Sequence, residues 1–181
     1  MKLLFDEIKK LKKNKNRIII GIDGPAAAGK STLAYKIAED FEGSVFHMDD
    51  YFLTDDLRTE HRLGTPGGNV DYERMHKEIF TNLTNDRIEY NKYNCSTKKF
   101  EEEIEDVKDV IVIEGVYSHR PEFKRYYDLA VFVDIEKEIQ LNRLELRNAK
   151  LINRFLTEWL PMENKYFDAF DVKNKSDYIV K

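Results

Sequence analysis

Gly24-Pro25-Ala26-Ala27-Ala28-Gly29-Lys30-Ser31-Thr32 sets two glycines, a lysine and two hydroxyls in the spacing G-x-x-x-x-G-K-[ST]. That spacing lets successive backbone N–H groups turn inward around phosphate oxygens, with the positive end of a following helix facing the same anion. In such a loop Lys30 reaches the outer phosphates and the Ser31 hydroxyl meets a magnesium ion, while Gly24, Ala26, Ala27, Ala28, Gly29 and Thr32 complete the cradle. The plain structural alternative is a glycine-rich turn with no ligand. An apolar run before the loop and a helical pattern after it favour phosphate binding.

Carboxylates follow two other apolar runs. Ser44–Met48 ends in Asp49-Asp50, and Val110–Ile113 ends in Glu114-Gly115. Phosphoryl transfer needs a group to orient the acceptor hydroxyl and acidic groups on the metal side. Asp49 and Glu114 have the positions for those roles, whereas Asp50 reads as a solvated turn or cap. The four histidines, His47, His61, His76 and His119, show no metal-ligand spacing, and His47 reads as a packed or hydrogen-bonded residue. Arg58–Asn69, with Gly64, Gly67 and Gly68 around Pro66, reads as a polar flap beside the acceptor.

The elements that must position these groups are legible in the hydrophobic pattern. Met1–Lys13 predicts an amphipathic helix (within 1–15). Arg17–Asp23 is a continuous β-branched run, as in a strand buried on both faces. A helix over Gly29–Phe41 and a short strand over Ser44–Met48 follow. Val70–Leu83 reads as helix, Val110–Ile113 and Leu129–Val133 as buried strands, and Glu136–Ala149 and Leu151–Phe170 as helices, with Pro161 a point of kinking. Tyr178–Val180 reads as a last strand. Alternating strands and helices predict an α/β fold in one domain over 1–181: a parallel sheet covered on both faces, with ligands beyond the carboxyl ends of its strands.

Composition narrows the classes further. The chain has 181 residues, 41% of them hydrophobic and 35% charged, with a net charge of −4, which argues against a nucleic-acid binder working by bulk charge. No apolar run approaches the roughly 20 residues that span a bilayer, and no signal-peptide core is present. The single cysteine, Cys95, excludes an internal disulfide and a cysteine-based zinc cluster. The expectation is a cytoplasmic protein, a monomer or homo-oligomer, with a small-molecule partner and no membrane or nucleic-acid partner.

His47-Met48-Asp49-Asp50-Tyr51-Phe52, Gly68-Asn69-Val70-Asp71-Tyr72-Glu73-Arg74, Ile113-Glu114-Gly115-Val116-Tyr117-Ser118 and Ser176-Asp177-Tyr178-Ile179 together resemble the uridine kinase and phosphoribulokinase family. The resemblance runs in order from about Ile18 to Val180. It implies a P-loop fold and transfer of phosphate from ATP, with Mg²⁺, to a hydroxyl of a nucleoside or similar metabolite. It makes Asp49 the acceptor-orienting base, and puts Glu114, with Ser31 and Asp49, on the metal side. It also makes Tyr51 and Asp71 acceptor ligands, Asp71 on sugar hydroxyls, and Tyr93 a wall for the substrate ring. Asp71 equally suits a helix N-cap. The same resemblance implies a short lid around 147–155, with Arg147 and Arg154 reaching the phosphates; Arg143 is as easily a surface arginine paired with Glu138 or Glu145. Those enzymes tend to place a histidine soon after the position of Tyr93, and Asn94-Cys95-Ser96-Thr97-Lys98-Lys99 has none.

Three rivals remain on the sequence. Asn174-Lys175-Ser176-Asp177 matches the GTPase base-reading motif but follows no apolar strand. A nucleoside monophosphate kinase, similar to bacterial cytidylate kinases around Ile22–Thr32, needs several acceptor-side arginines, for which Arg58, Arg62 and Arg74 are available. A nucleotide-binding module without turnover is the third.

Overall fold

The computed structural model describes residues 1–181. The chain runs α1 (Lys2–Asn14), β1 (Ile18–Asp23), α2 (Lys30–Phe41), β2 (Gly43–His47), α3 (Glu60–Gly64), α4 (Tyr72–Glu78), β3 (Arg87–Asn94), β4 (Lys99–Asp106), β5 (Val110–Glu114), α5 (Pro121–Lys124), β6 (Leu129–Val133), α6 (Lys137–Asn148), α7 (Ile152–Arg154), α8 (Leu160–Phe170) and β7 (Tyr178–Val180). Five strands form one parallel sheet in the order β2-β5-β1-β6-β7. β1 is thus flanked by β5 and β6, and the connections diverge from it in both directions. Such a switch point opens a crevice at the carboxyl ends of the strands.

Strand side chains alternate between two cores. Ile18, Ile20 and Ile22 face the core under α1 and α2, where Leu4, Ile8 and Ile37 are fully buried. Ile111, Ile113 and Phe132 face the opposite core, with Met75, Phe80 and Tyr166. This two-sided burial is why β1, β5 and β6 are unbroken apolar runs. No helix is long and apolar enough to cross a membrane.

Three segments differ from the periodicity reading. The helix expected over Val70–Leu83 is cut to α4. Val70 is held extended by a bridge to Phe52, and Asp71 caps the helix by accepting the Arg74 N–H at 3.0 Å. At the far end the side chains of Thr81 and Asn82 bond the Lys77 carbonyl, competing with the helical ladder. The expected kink at Pro161 is a π-helical turn over Phe155–Trp159 that leads into α8. Pro161 has no N–H, and its ring crowds the carbonyl four residues back, so the widened turn lies just ahead of it. Finally, β3 and β4 form a separate antiparallel hairpin that the pattern leaves unassigned. Only its Ile88 and Tyr90 reach a core, Tyr90 edge-on to Phe46 at 5.4 Å.

Candidate active site

The glycine-rich loop joins β1 to α2 at the switch point. Gly24 is required there: a Cβ on it would lie 2.2 Å from the Val133 carbonyl oxygen, at φ +143°. Asp23, fully buried, fixes the start of the loop by accepting from the Gly24 N–H (2.6 Å), the His119 N–H (2.8 Å) and the Tyr166 hydroxyl (2.8 Å). Ala27 and Gly29 take left-handed φ of 60° and 103°, turning the chain back so that its amides converge. The N–H groups of Ala27, Gly29, Lys30, Ser31 and Thr32 meet no acceptor within the protein. A concave run of free donors at a helix N-terminus fits a polyphosphate. Lys30, largely buried, rests its Nζ on the Pro25 carbonyl at 2.9 Å.

In-register pairing brings the acidic group beside that loop. His47 of β2 and Ile22 of β1 both align with Glu114 of β5. Ser31 Oγ donates to Glu114 Oε1 at 2.9 Å, and His47 Nδ1 lies 2.6 Å from the same oxygen. His47 Nε2 is 3.0 Å from the Tyr35 hydroxyl. The hydrogen bond and charge of Glu114 hold the His47 imidazole above its ordinary value, against the opposing effect of burial. Burial pushes the Glu114 carboxyl up, but His47, Ser31 and the nearby Lys30 outweigh it and hold it below the usual range. Glu114 Oε2 has no protein partner, so a carboxylate oxygen and a serine hydroxyl sit together as hard donors of the kind magnesium takes.

A cavity of about 870 Å³ extends from the loop. Lys30, Ser31, Asp49 and Glu114 line it, as do Tyr93 from the hairpin and Arg147 and Arg154 from the far side. Asp49 lies in the 3₁₀ turn Met48–Tyr51 directly after β2. Its side chain is exposed to the cavity, yet enclosing protein atoms push its carboxyl up, with Lys30, His47 and Arg147 pulling the other way. Arg147 has no bonded partner, whereas Arg154 pairs with Glu158 and lies over the Trp159 ring. Arg143 bonds the Ala27 carbonyl at 3.1 Å rather than Glu138 or Glu145.

Two residues expected at the acceptor lie outside this lining. Tyr51 is buried in the core with its hydroxyl on Glu78 at 3.1 Å; the adjacent Phe52 faces the cavity instead. In a 3₁₀ turn neighbouring residues diverge by about a third of a turn, so one residue along the motif exchanges core for cavity. Asp71 serves as the α4 cap and pairs with Arg74 at 3.4 Å, while Asn69 two residues earlier lines the cavity. Asp50 is half-buried with an unpartnered Oδ2, not a solvated turn.

The pattern reading missed three further groups. Gln140 of α6 donates to the Ala26 carbonyl at 3.0 Å, and Glu163 of α8 accepts the Ala26 N–H at 3.0 Å, so this peptide unit is gripped on both sides. Trp159 lines the cavity from the π-helical turn. Only the burial of Glu163, a charged residue on the inner face of a helix, signals its role, and that is visible only once the fold is known.

Known proteins resemble this chain along most of its length. A uridine kinase of Staphylococcus haemolyticus is 27% identical over 91% of this chain and 87% of its own. One from Anoxybacillus flavithermus is 28% identical over 92% and 86%. The solved structure of a possible uridine kinase from Bacillus stearothermophilus has the same fold, with a TM-score of 0.74 at 22% identity over 98% of this chain and 99% of that one. Residues 19–150, from β1 to just past α6, match the Phosphoribulokinase / Uridine kinase family, and the chain belongs to that family of P-loop kinases.

Proposed function

We propose that the protein transfers the γ-phosphate of ATP to a hydroxyl of a small metabolite, with a nucleoside as the favoured acceptor. The observation that carries this reading is that Lys30 and Ser31 of the phosphate loop and the carboxylate of Asp49 line one cavity. The free amides from Ala27 to Thr32 bind the phosphates, and Lys30 leaves the Pro25 carbonyl to bridge the outer ones. Mg²⁺, held by Ser31 and Glu114 beside Asp49, would offset phosphate charge. Asp49 accepts the proton of the acceptor hydroxyl and aims its oxygen at the phosphorus. Tyr93 and Phe52 offer flat walls for an acceptor ring. Arg147 and Arg154, on a lid spanning 147–155, neutralise charge on the transferring group.

The monophosphate kinase alternative is weakened because Arg62 is tied to Glu73 and the Val70 carbonyl, and Arg74 to Asp71, Glu78 and the Asn91 carbonyl. Of the three acceptor-side arginines, only Arg58 is unbonded, too few to grip an acceptor phosphate. ADP release should be stimulated by a nucleoside such as uridine or by a sugar-like alcohol. Release with monophosphates alone would overturn the hydroxyl-acceptor reading. Asp49→Asn should keep nucleotide affinity while kcat falls by about 10²–10⁴; an unchanged kcat would move the acceptor site elsewhere.

A further inference from the structure

The carboxylate of Glu163 lies against the phosphate loop and lines the same cavity as Lys30, Ser31 and Asp49. It is 6% exposed, reaches in from α8, and takes the Ala26 N–H of the phosphate loop at 3.0 Å. Lys30, which grips outer phosphates, and Asp49, which faces the acceptor, both act on it electrostatically, as does Asp23 behind the loop. Tyr117 faces it from the turn after β5. On the other side of the loop, Gln140 and Arg143 hold the Ala26 and Ala27 carbonyls. Glu163 is thus bonded to the loop itself and shares its cavity with Lys30 and Asp49.

We propose that Glu163 competes with the transferring phosphoryl group for the Ala26 amide, so that nucleotide binding takes up one proton from solvent onto the Glu163 carboxyl. The inference rests on the nucleotide-binding reading above. A charged carboxylate and a phosphate oxygen cannot share one amide without strong repulsion. Lys30, moving from Pro25 toward the phosphates, also withdraws its charge from Glu163. Protonation keeps Glu163 in place as a neutral group that no longer opposes the phosphate, and its hydroxyl can donate to a phosphate oxygen. Burial already pushes this carboxyl up to about 7 against the pull of the Ala26 N–H and Lys30, so the proton is available near neutrality.

Calorimetric titration with the magnesium complex of β,γ-imido-ATP, between pH 6 and 8 and in buffers of differing ionisation enthalpy, reads both affinity and protons taken up. The native chain should bind about tenfold more weakly at pH 8 than at pH 6, with uptake approaching one proton above pH 7.5. Glu163→Gln, neutral at every pH, should bind at pH 8 about as tightly as the native chain does at pH 6, without that uptake. Equal pH slopes and proton counts in the two proteins would overturn the proposal. The native proton count stands without the variant, so nucleotide binding with no uptake would also overturn it. No binding at any pH would instead overturn the nucleotide reading, and this inference with it.

Discussion

Asp23→Asn tests whether the buried carboxylate at the end of β1 holds the phosphate loop to the rest of the fold. Its two oxygens accept from three donors at 2.6 to 2.8 Å, and the residue is fully buried. Asparagine offers one oxygen. If that oxygen keeps the Gly24 N–H, the new NH₂ faces both the His119 N–H and the Tyr166 hydroxyl. The phenol can rotate to accept from it, but the His119 amide is left against another donor. Flipping the side chain orphans Gly24 instead. Either way one bond to a charged acceptor is lost, about 1.5–3 kcal/mol, and one buried donor is unsatisfied, about 1–3 kcal/mol. A total of about 2.5–6 kcal/mol, at about 2–4 °C per kcal/mol for a chain of this length, lowers Tm by about 5–24 °C. Thermal unfolding followed by circular dichroism reads this directly. A Tm within about 2 °C of the parent would refute the reasoning, because the three contacts would then contribute little net stability.

Lys30→Ala should abolish nucleotide turnover in the ADP-release assay; activity within about threefold of the parent would remove Lys30 from the phosphate site. The His47–Glu114 pair has a defined pH window. His47, raised above 6.5, contributes fully below that pH and loses its contribution as pH rises through its folded value, whereas Glu114, held below 4.5, contributes above that pH and fades as pH falls through its own. The Tm difference between the parent and His47→Gln should therefore be greatest between about pH 4.5 and 6.5 and shrink toward pH 9, and a flat difference would contradict the pairing. Tyr51→Phe should lose about 0.5–1.5 kcal/mol of stability with acceptor KM unchanged, while Tyr93→Ala should raise acceptor KM by about tenfold or more. The reverse pattern would restore Tyr51 to the acceptor site.

The parallel sheet was readable because β1, β5 and β6 are buried on both faces, and such strands leave unbroken apolar runs such as Ile18–Ile22. The loop was readable because its geometry admits few residue types. The hairpin was not: β4 is Lys-Phe-Glu-Glu-Glu-Ile-Glu-Asp, with Phe100 and Ile104 half exposed, and pairing with one neighbour requires no apolar alternation. The alternation of Ile88 and Tyr90 in β3 was the available signal. Tyr51 and Phe52 show a second limit, since a motif locates a turn but not which of two adjacent aromatics turns inward. Glu163 and Gln140 mark a third, because their partner Ala26 lies more than a hundred residues away along the chain.

Trp159 is the only tryptophan in the chain, and it lines the cavity with the Arg154 guanidinium 4.7 Å from its ring and Phe155 edge-on at 4.6 Å. The fold has thereby given itself a single native optical probe. If Arg154 leaves the indole for a bound phosphate, as the proposed lid role requires, the ring loses a neighbouring cation and its emission shifts. Closure of the proposed lid would then be timed in a stopped-flow mixer on unlabelled protein, with no other indole to blur the trace.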